Sequence, residues 1–138
     1  MSDDSILTFS EDISTAEAPE PLPIGLYPAS IQGAEVKTSQ NSGNRYLDLS
    51  LLIAPDSFPA DYPIENNPDG ALIHFRRTIV EDTPRARHSI RRLCEACGVV
   101  ASKELNVMEF VGQEVSVEIV HDEYNGVTRE DIKSIDAR

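Results

Sequence analysis

Residues 25–53, GLYPASIQGAEVKTSQNSGNRYLDLSLLI, carry the two clearest β-strand patterns of the chain, separated by a polar loop. Apolar side chains alternate strictly over residues 46–53, which is typical of a strand with one buried face. In the first strand, Gly33 predicts a bulge that shifts the inward-facing pattern to Ala34 and Val36. The stretch therefore predicts a bent strand followed by a regular one.

A third strand and a helix follow this pair of strands. Residues 55–70 contain four prolines and predict a long loop, after which residues 71–80 resume as a strand. The helix has complete end signals, because Thr83 suits the N-cap, Pro84 the first helical position and Gly98 the stop. Its apolar stripe consists of Ala86, Ile90, Leu93, Cys94 and Cys97.

The end of the chain predicts a β-hairpin. Asn125-Gly126 is the strongest short hairpin signal, and it joins an alternating strand at 115–119 to a last strand at 129–135. The element order β-β-β-α-β-β is that of an OB-fold, a five-stranded Greek-key barrel that commonly binds oligonucleotides. The rival is a plain α+β sheet. We expect a mostly β, OB-fold-like domain over residues 24–138, with one main helix between strands 3 and 4.

Charge is distributed unevenly along the chain. The formal net charge is −12, and residues 1–23 hold six acidic residues, no Lys or Arg, and a cluster of prolines at their end. This composition predicts a disordered acidic tail. Without the six tail acids, residues 24–138 keep a charge of −6, and six arginines between positions 76 and 92 supply half of the basic residues. The domain thus has a basic zone despite its acidic total.

Several classes of protein are disfavoured. No apolar run approaches the roughly 18 residues of a membrane span, and the N-terminus lacks a basic signal region, so we expect a cytoplasmic protein with no membrane partner. Cys94 and Cys97 are too few for a disulfide framework, and zinc would need two further ligands. No catalytic motif is present. The sequence therefore predicts no enzyme activity, no cofactor and no metal site.

Four stretches resemble small bacteriophage single-stranded DNA-binding proteins of the OB type: residues 23–53, ALIHFRR at 71–77, IRRLCEACGV at 90–99 and FVGQEVSVEIVHDEYNG at 110–126. The resemblance implies sequence-tolerant binding of single-stranded DNA during phage replication or recombination, in the bacterial host cytoplasm. Phage proteins of this type often recruit polymerase or helicase partners through an acidic C-terminal tail. Here the acidic segment is N-terminal, and it is the corresponding candidate for contacting replication or recombination proteins.

Binding of single strands requires cations along the backbone and aromatic rings on which bases stack, each ring worth ~1–3 kcal/mol. In an OB-fold, the outward positions of strands 2 and 3, the first loop and the last hairpin converge on one side. The candidate nucleic-acid-binding residues are Lys37, Arg45, Tyr46, His74, Arg76, Tyr124, Arg129 and Lys133.

These candidates also have a purely structural interpretation. Tyr46 is equally typical of a half-buried packing residue, and His74 and Arg76 of solubilising residues on an exposed strand face. Strand alternation places Arg77 on the inward side unless a bulge intervenes. The arginines of the helix are typical of a solvated face. The net charge favours an alternative function, an acidic protein-interaction module such as a phage regulator or inhibitor that occupies a basic site on a host protein.

Overall fold

The computed structural model describes residues 5–16 and 20–138, which form a mostly β structure with one α-helix. Five strands make an antiparallel sheet in the order β3-β2-β1-β4-β5. The predicted β-rich class with one main helix is confirmed. In chain order the elements are β1 (Gly25–Thr38), β2 (Arg45–Ile53), β3 (Ala71–Ile79), α1 (Pro84–Cys97), β4 (Glu114–Tyr124) and β5 (Val127–Ala137).

β1 is the central strand and bends as expected. It pairs with β4 through its first half and with β2 through most of its length, and its register with β2 shifts between Ile31 and Gly33. The predicted bulge is confirmed. Gly33 packs closely here, since an added Cβ would lie 2.7 Å from Ser50 Oγ. Beyond it Ala34 is buried, whereas Val36 is 40% exposed because it lies at the rim of a groove beside α1.

The core lies between the inward face of the sheet and α1. The alternating residues of β2 and β4 are almost completely buried, and α1 contributes Leu93, Cys94 and Cys97. The predicted helix ends are confirmed: the Ala86 N–H donates to Thr83 Oγ1 at 3.3 Å, and Gly98 ends the helix with φ of +72°. No helix in the described ranges is long and apolar enough to cross a membrane.

A bulge in β3 and a tight hairpin turn are two local irregularities of the sheet. The β2–β3 register shifts between Leu47 and Leu49, so β3 accommodates an extra residue opposite Asp48. This bulge settles the direction of Arg77, which forms an ion pair with Asp131 of β5. At the other end of the chain, Asn125-Gly126 forms the predicted hairpin turn, and both residues have positive φ, 51° and 78°.

The described part of the N-terminal segment has two contrasting sections. Residues 5–16 are exposed throughout and include the 3-10 turn Ile13–Thr15. Residues 20–23 are attached to the domain: Leu22 is completely buried, its N–H donates to Glu130 Oε1 at 2.8 Å, and His121 Nε2 donates to its carbonyl at 2.7 Å. The tail predicted for residues 1–23 also includes 1–4 and 17–19, which lie outside the described residues.

Candidate nucleic-acid interface

Three neighbouring strands place polar side chains on the surface opposite the core. β2 alternates strictly, so the side chains between its buried leucines point outward. In the sheet register, Tyr46 is paired with Lys37 of β1, and Ser50 is paired with His74 of β3. We call this surface the outer face and define it by Lys37, Tyr46, Asp48, Ser50, His74 and Arg76.

The centre of the outer face is a carboxylate covered by basic side chains. Asp48 is 4% exposed although it points away from the core. Lys37 Nζ lies 2.9 Å from its Oδ2, His74 Nδ1 lies 2.8 Å from its Oδ1, and Arg76 Nε lies 3.3 Å from Oδ2. The three basic groups themselves keep 39–54% of their side-chain surface exposed. One buried anion therefore orients three cationic or titratable groups toward solvent.

The protonation states follow from this arrangement. Burial by itself would raise the pKa of Asp48, but the hydrogen bonds from Lys37 and His74 and the nearby charge of Arg76 hold that pKa below its ordinary value. The hydrogen bond to Asp48 in turn raises the pKa of Lys37. Asp48 is thus ionised at neutral pH and accepts a hydrogen bond from His74 Nδ1. The ion pair between Lys37 and Asp48 therefore persists across the physiological range of pH.

A groove adjoins this cluster. It has a volume of about 470 Å³ and is lined by Tyr46, Arg76 and Ile79 together with residues of the 38–44 segment. Tyr46 is half-buried, so part of its side chain packs against the protein while the rest remains accessible. We call this cavity the tyrosine groove. It brings an aromatic ring and a guanidinium from adjacent strands to one concave surface beside the loop between β1 and β2.

Arg76 is held in a way that leaves most of its donors available. Only Nε contacts Asp48, and the side chain is 54% exposed. Within the described part of the chain, its two terminal amino groups make no hydrogen bond or ion pair. A guanidinium can donate to two phosphate oxygens at once through such groups. Asp48 therefore positions Arg76 without consuming its capacity to bind an anion.

The remaining predicted residues lie elsewhere. Arg45 contributes to a different groove, beside α1. Tyr124 and Arg129 form their own pair at the β4–β5 hairpin, with Arg129 Cζ 4.7 Å from the ring centroid and Arg129 also 3.5 Å from Asp122. Lys133 lies 3.7 Å from Glu118. Over residues 5–16 and 20–138, no hydrogen bond or ion pair joins these hairpin residues to the outer face.

Sequence reasoning missed Asp48, the residue that organises the cluster. The signal was present, because strict alternation over β2 places Asp48 outward between Tyr46 and Ser50. An outward acidic residue is ordinarily a solvated one, however, and its burial arises only when the register brings cations from both neighbouring strands against it.

The two cysteines contribute nothing to this face. Both are buried in the core. Burial raises the pKa of Cys94 and raises that of Cys97 to about 12, so neither thiol is ionised at neutral pH. Among the residues that the structure describes, no group of three or more His, Cys, Asp or Glu side chains is arranged to hold a metal ion.

These features define a small β-rich domain with a basic and aromatic outer face. The chain belongs to the family described as "Protein of unknown function (DUF669)", whose model matches residues 9–137. No curated protein matches the sequence. The family match includes part of the exposed N-terminal segment as well as nearly the whole of the domain.

Proposed function

We propose that this protein binds single-stranded DNA with little sequence preference, through the tyrosine groove and the outer face, and that it serves phage DNA replication or recombination in a bacterial cytoplasm. The observation that carries the proposal is the shared groove of Tyr46 and Arg76. A partly accessible ring for a base, next to a guanidinium for the adjacent phosphate, is the combination that sequence-tolerant single-strand binding requires.

The proposed fold is an OB-type barrel. Its support is the approach of the two outer strands of the sheet, β3 and β5, which the Arg77–Asp131 ion pair connects. Phe75 of β3, Leu93 of α1 and Ile135 of β5 line one groove, so α1 lies where the sheet edges converge. OB-folds bind oligonucleotides on the β2–β3 face and the β1–β2 loop, which are the elements that form the tyrosine groove here.

The charge of the outer face limits how much of the binding is electrostatic. Lys37 is shared between Asp48 and Glu35, at 2.9 and 3.6 Å, so its charge is largely neutralised locally. Arg76 is the cation with donors left for phosphate. We therefore expect few phosphate contacts, a modest salt dependence and a large contribution from stacking on Tyr46.

The test is a fluorescence anisotropy titration of labelled oligo-dT with the full-length protein at low salt, with a duplex of the same length as the control. We expect micromolar or tighter binding to the single strand and weaker binding to the duplex, whose bases are not available for stacking. Equal affinity for the two forms would contradict the proposal, because it would indicate charge attraction alone.

A second candidate function is an acidic protein-interaction module that occupies a basic site on a host protein. It is favoured by the net charge of −12 and by the local neutralisation of Lys37. With the first function, the exposed residues 5–16 are the proposed contact for replication or recombination proteins. Absence of any oligo-dT binding at low salt would favour this second candidate over the first.

A further inference from the structure

A second groove lies on the other side of β2, between α1 and the segment that follows it. Its volume is about 760 Å³, and it exposes more apolar than polar surface. The apolar lining includes Leu47 from β2, Ile90 and Cys94 from α1, and Leu105 and Val107 from the following segment. We call it the helix groove. Unlike the tyrosine groove, it opens beside the hydrophobic core.

The rim of the helix groove is basic, although the chain as a whole is acidic. Arg45, Arg87, Arg91 and Lys103 line it, against the two carboxylates Glu81 and Asp82. Arg87 is paired with Asp82 at 2.5 Å, and Arg91 with Glu95 at 3.0 Å. Arg45 and Lys103 form no ion pair with any residue in the ranges 5–16 and 20–138. The groove thus combines an apolar floor with cations that are free to meet an acidic ligand.

One segment of this chain has the complementary chemistry. Ile6, Leu7, Phe9 and Ile13 are 54–76% exposed, although such side chains gain free energy when they are buried. Glu11 and Asp12 lie between Phe9 and Ile13. The family match begins at residue 9, so it includes the part of this segment from Phe9 onward. An apolar segment with two acids fits an apolar groove with two unpaired cations.

We propose that residues 6–13 of one copy of the protein dock in the helix groove of a second copy. The apolar side chains occupy the floor, and Glu11 and Asp12 approach Arg45 and Lys103. This interface joins copies head to tail, so each copy offers one segment and one groove to its neighbours. It does not depend on DNA, although it would align copies bound side by side on one strand.

The position of the segment favours a second copy over its own groove, because its apolar side chains stay exposed in a single copy. The segment is anchored to the domain at Glu20, whose carbonyl accepts from the Tyr62 hydroxyl, and at Leu22, whose N–H donates to Glu130. Ile13 is only seven residues from Glu20, a reach of about 25 Å when fully extended. The tether is thus short, and no residue of 5–16 lines the helix groove of its own copy.

Sedimentation velocity of the full-length protein without DNA tests the proposal, at an ionic strength where the repulsion between acidic copies is screened. We expect the average sedimentation coefficient to rise with protein concentration. Phe9→Ser and Lys103→Glu should each weaken self-association at least tenfold, and combining Glu11→Lys with Lys103→Glu should restore most of it. Arg92→Glu, on another groove of α1, is the matched control and should leave self-association unchanged.

Photo-cross-linking from a benzophenone side chain at position 9 identifies the acceptor. Covalent dimers joined through the helix groove would support the proposal. A cross-link within one chain, a wild-type protein that stays monomeric at every concentration, or association that is insensitive to Phe9→Ser would overturn it. Because DNA is absent from both measurements, their outcome is independent of whether the protein binds single strands.

Discussion

The outer face and the β4–β5 hairpin carry similar residue types in different arrangements. On the outer face, Lys37, His74 and Arg76 come from different strands and converge on Asp48, which is buried. At the hairpin, Arg129 contacts Asp122 and Tyr124, and each of these groups is at least half exposed. The first arrangement fixes its side chains in one geometry, whereas the second leaves them solvated.

The difference shows why residue type alone does not identify a binding surface. A hairpin pairs each cation with the acid opposite it on the next strand, and such exposed pairs contribute little free energy. Three adjacent strands can instead direct several side chains at one point, where a buried anion orients them. We therefore assign the proposed DNA contacts to the outer face first, and regard the hairpin residues as the comparison surface.

The largest expected effect is on stability. Asp48→Ala removes a buried carboxylate from three partners, which costs 3–5 kcal/mol where the remaining charge is also buried. Because the partners here are 39–54% exposed and can rehydrate, we expect a loss of about 2 kcal/mol in the free energy of unfolding.

Urea denaturation measures this loss, and Asp122→Ala is the matched control. Asp122 is half exposed in its pair with Arg129, so its removal should change stability by less than about 0.5 kcal/mol. Equal losses in the two variants would mean that the outer face is no better ordered than the hairpin.

The next effect is on DNA affinity. Tyr46→Ala should weaken oligo-dT binding by about tenfold, corresponding to the lower part of the ~1–3 kcal/mol of one stacked base. Tyr124→Ala removes a ring that is 59% exposed and already covered on one face by Arg129, so we expect a smaller loss. Anisotropy titrations of the two variants under one set of conditions compare the surfaces directly. A larger loss for Tyr124→Ala would reassign the interface to the hairpin.

Local patterns predicted most of the secondary structure. The bulge at Gly33, the caps Thr83 and Gly98, and the turn Asn125-Gly126 each depend on one or two residues with strong conformational preferences. These preferences act whatever the rest of the chain does. They could therefore be identified from the sequence alone.

The site was predicted only in part, because its geometry depends on register between strands. Alternation correctly placed His74 and Arg76 outward, whereas Lys37 was predicted in the first loop and lies on β1 instead. The burial of Asp48 needs all three neighbours at once. Leu22 is similar: it sits within a composition typical of disorder, yet it is buried between contacts with Glu130 and His121, which are distant in sequence. Long-range contacts of this kind leave no local signal.

A smaller effect concerns the acid dependence of stability. The folded-state pKa of Asp48 is lowered, so its contribution to stability is complete above the unfolded value of about 3.9 and is lost as pH falls through the folded value. As pH falls below about 4, the wild-type protein should therefore lose stability more steeply than the Asp48→Asn variant, whose residue 48 cannot titrate. Thermal unfolding of both proteins from pH 6 to pH 3 measures the difference. Parallel curves would show that Asp48 is not the ionised centre of the cluster.

The smallest effect is on the salt dependence of DNA binding, and it separates the two surfaces most specifically. Arg76 has terminal donors available beside Tyr46, so Arg76→Ala should remove one phosphate contact and reduce the log-log salt slope by about 0.7. Arg129 is paired with Asp122 and Tyr124, so Arg129→Ala should leave the slope nearly unchanged. Oligo-dT titrations across a salt series measure both slopes. A reduced slope for Arg129→Ala alone would move the phosphate contacts to the hairpin. Equal reductions for the two variants would indicate that the DNA strand contacts both surfaces. In that case, the convergence of side chains on Asp48 would confer no advantage in binding phosphate.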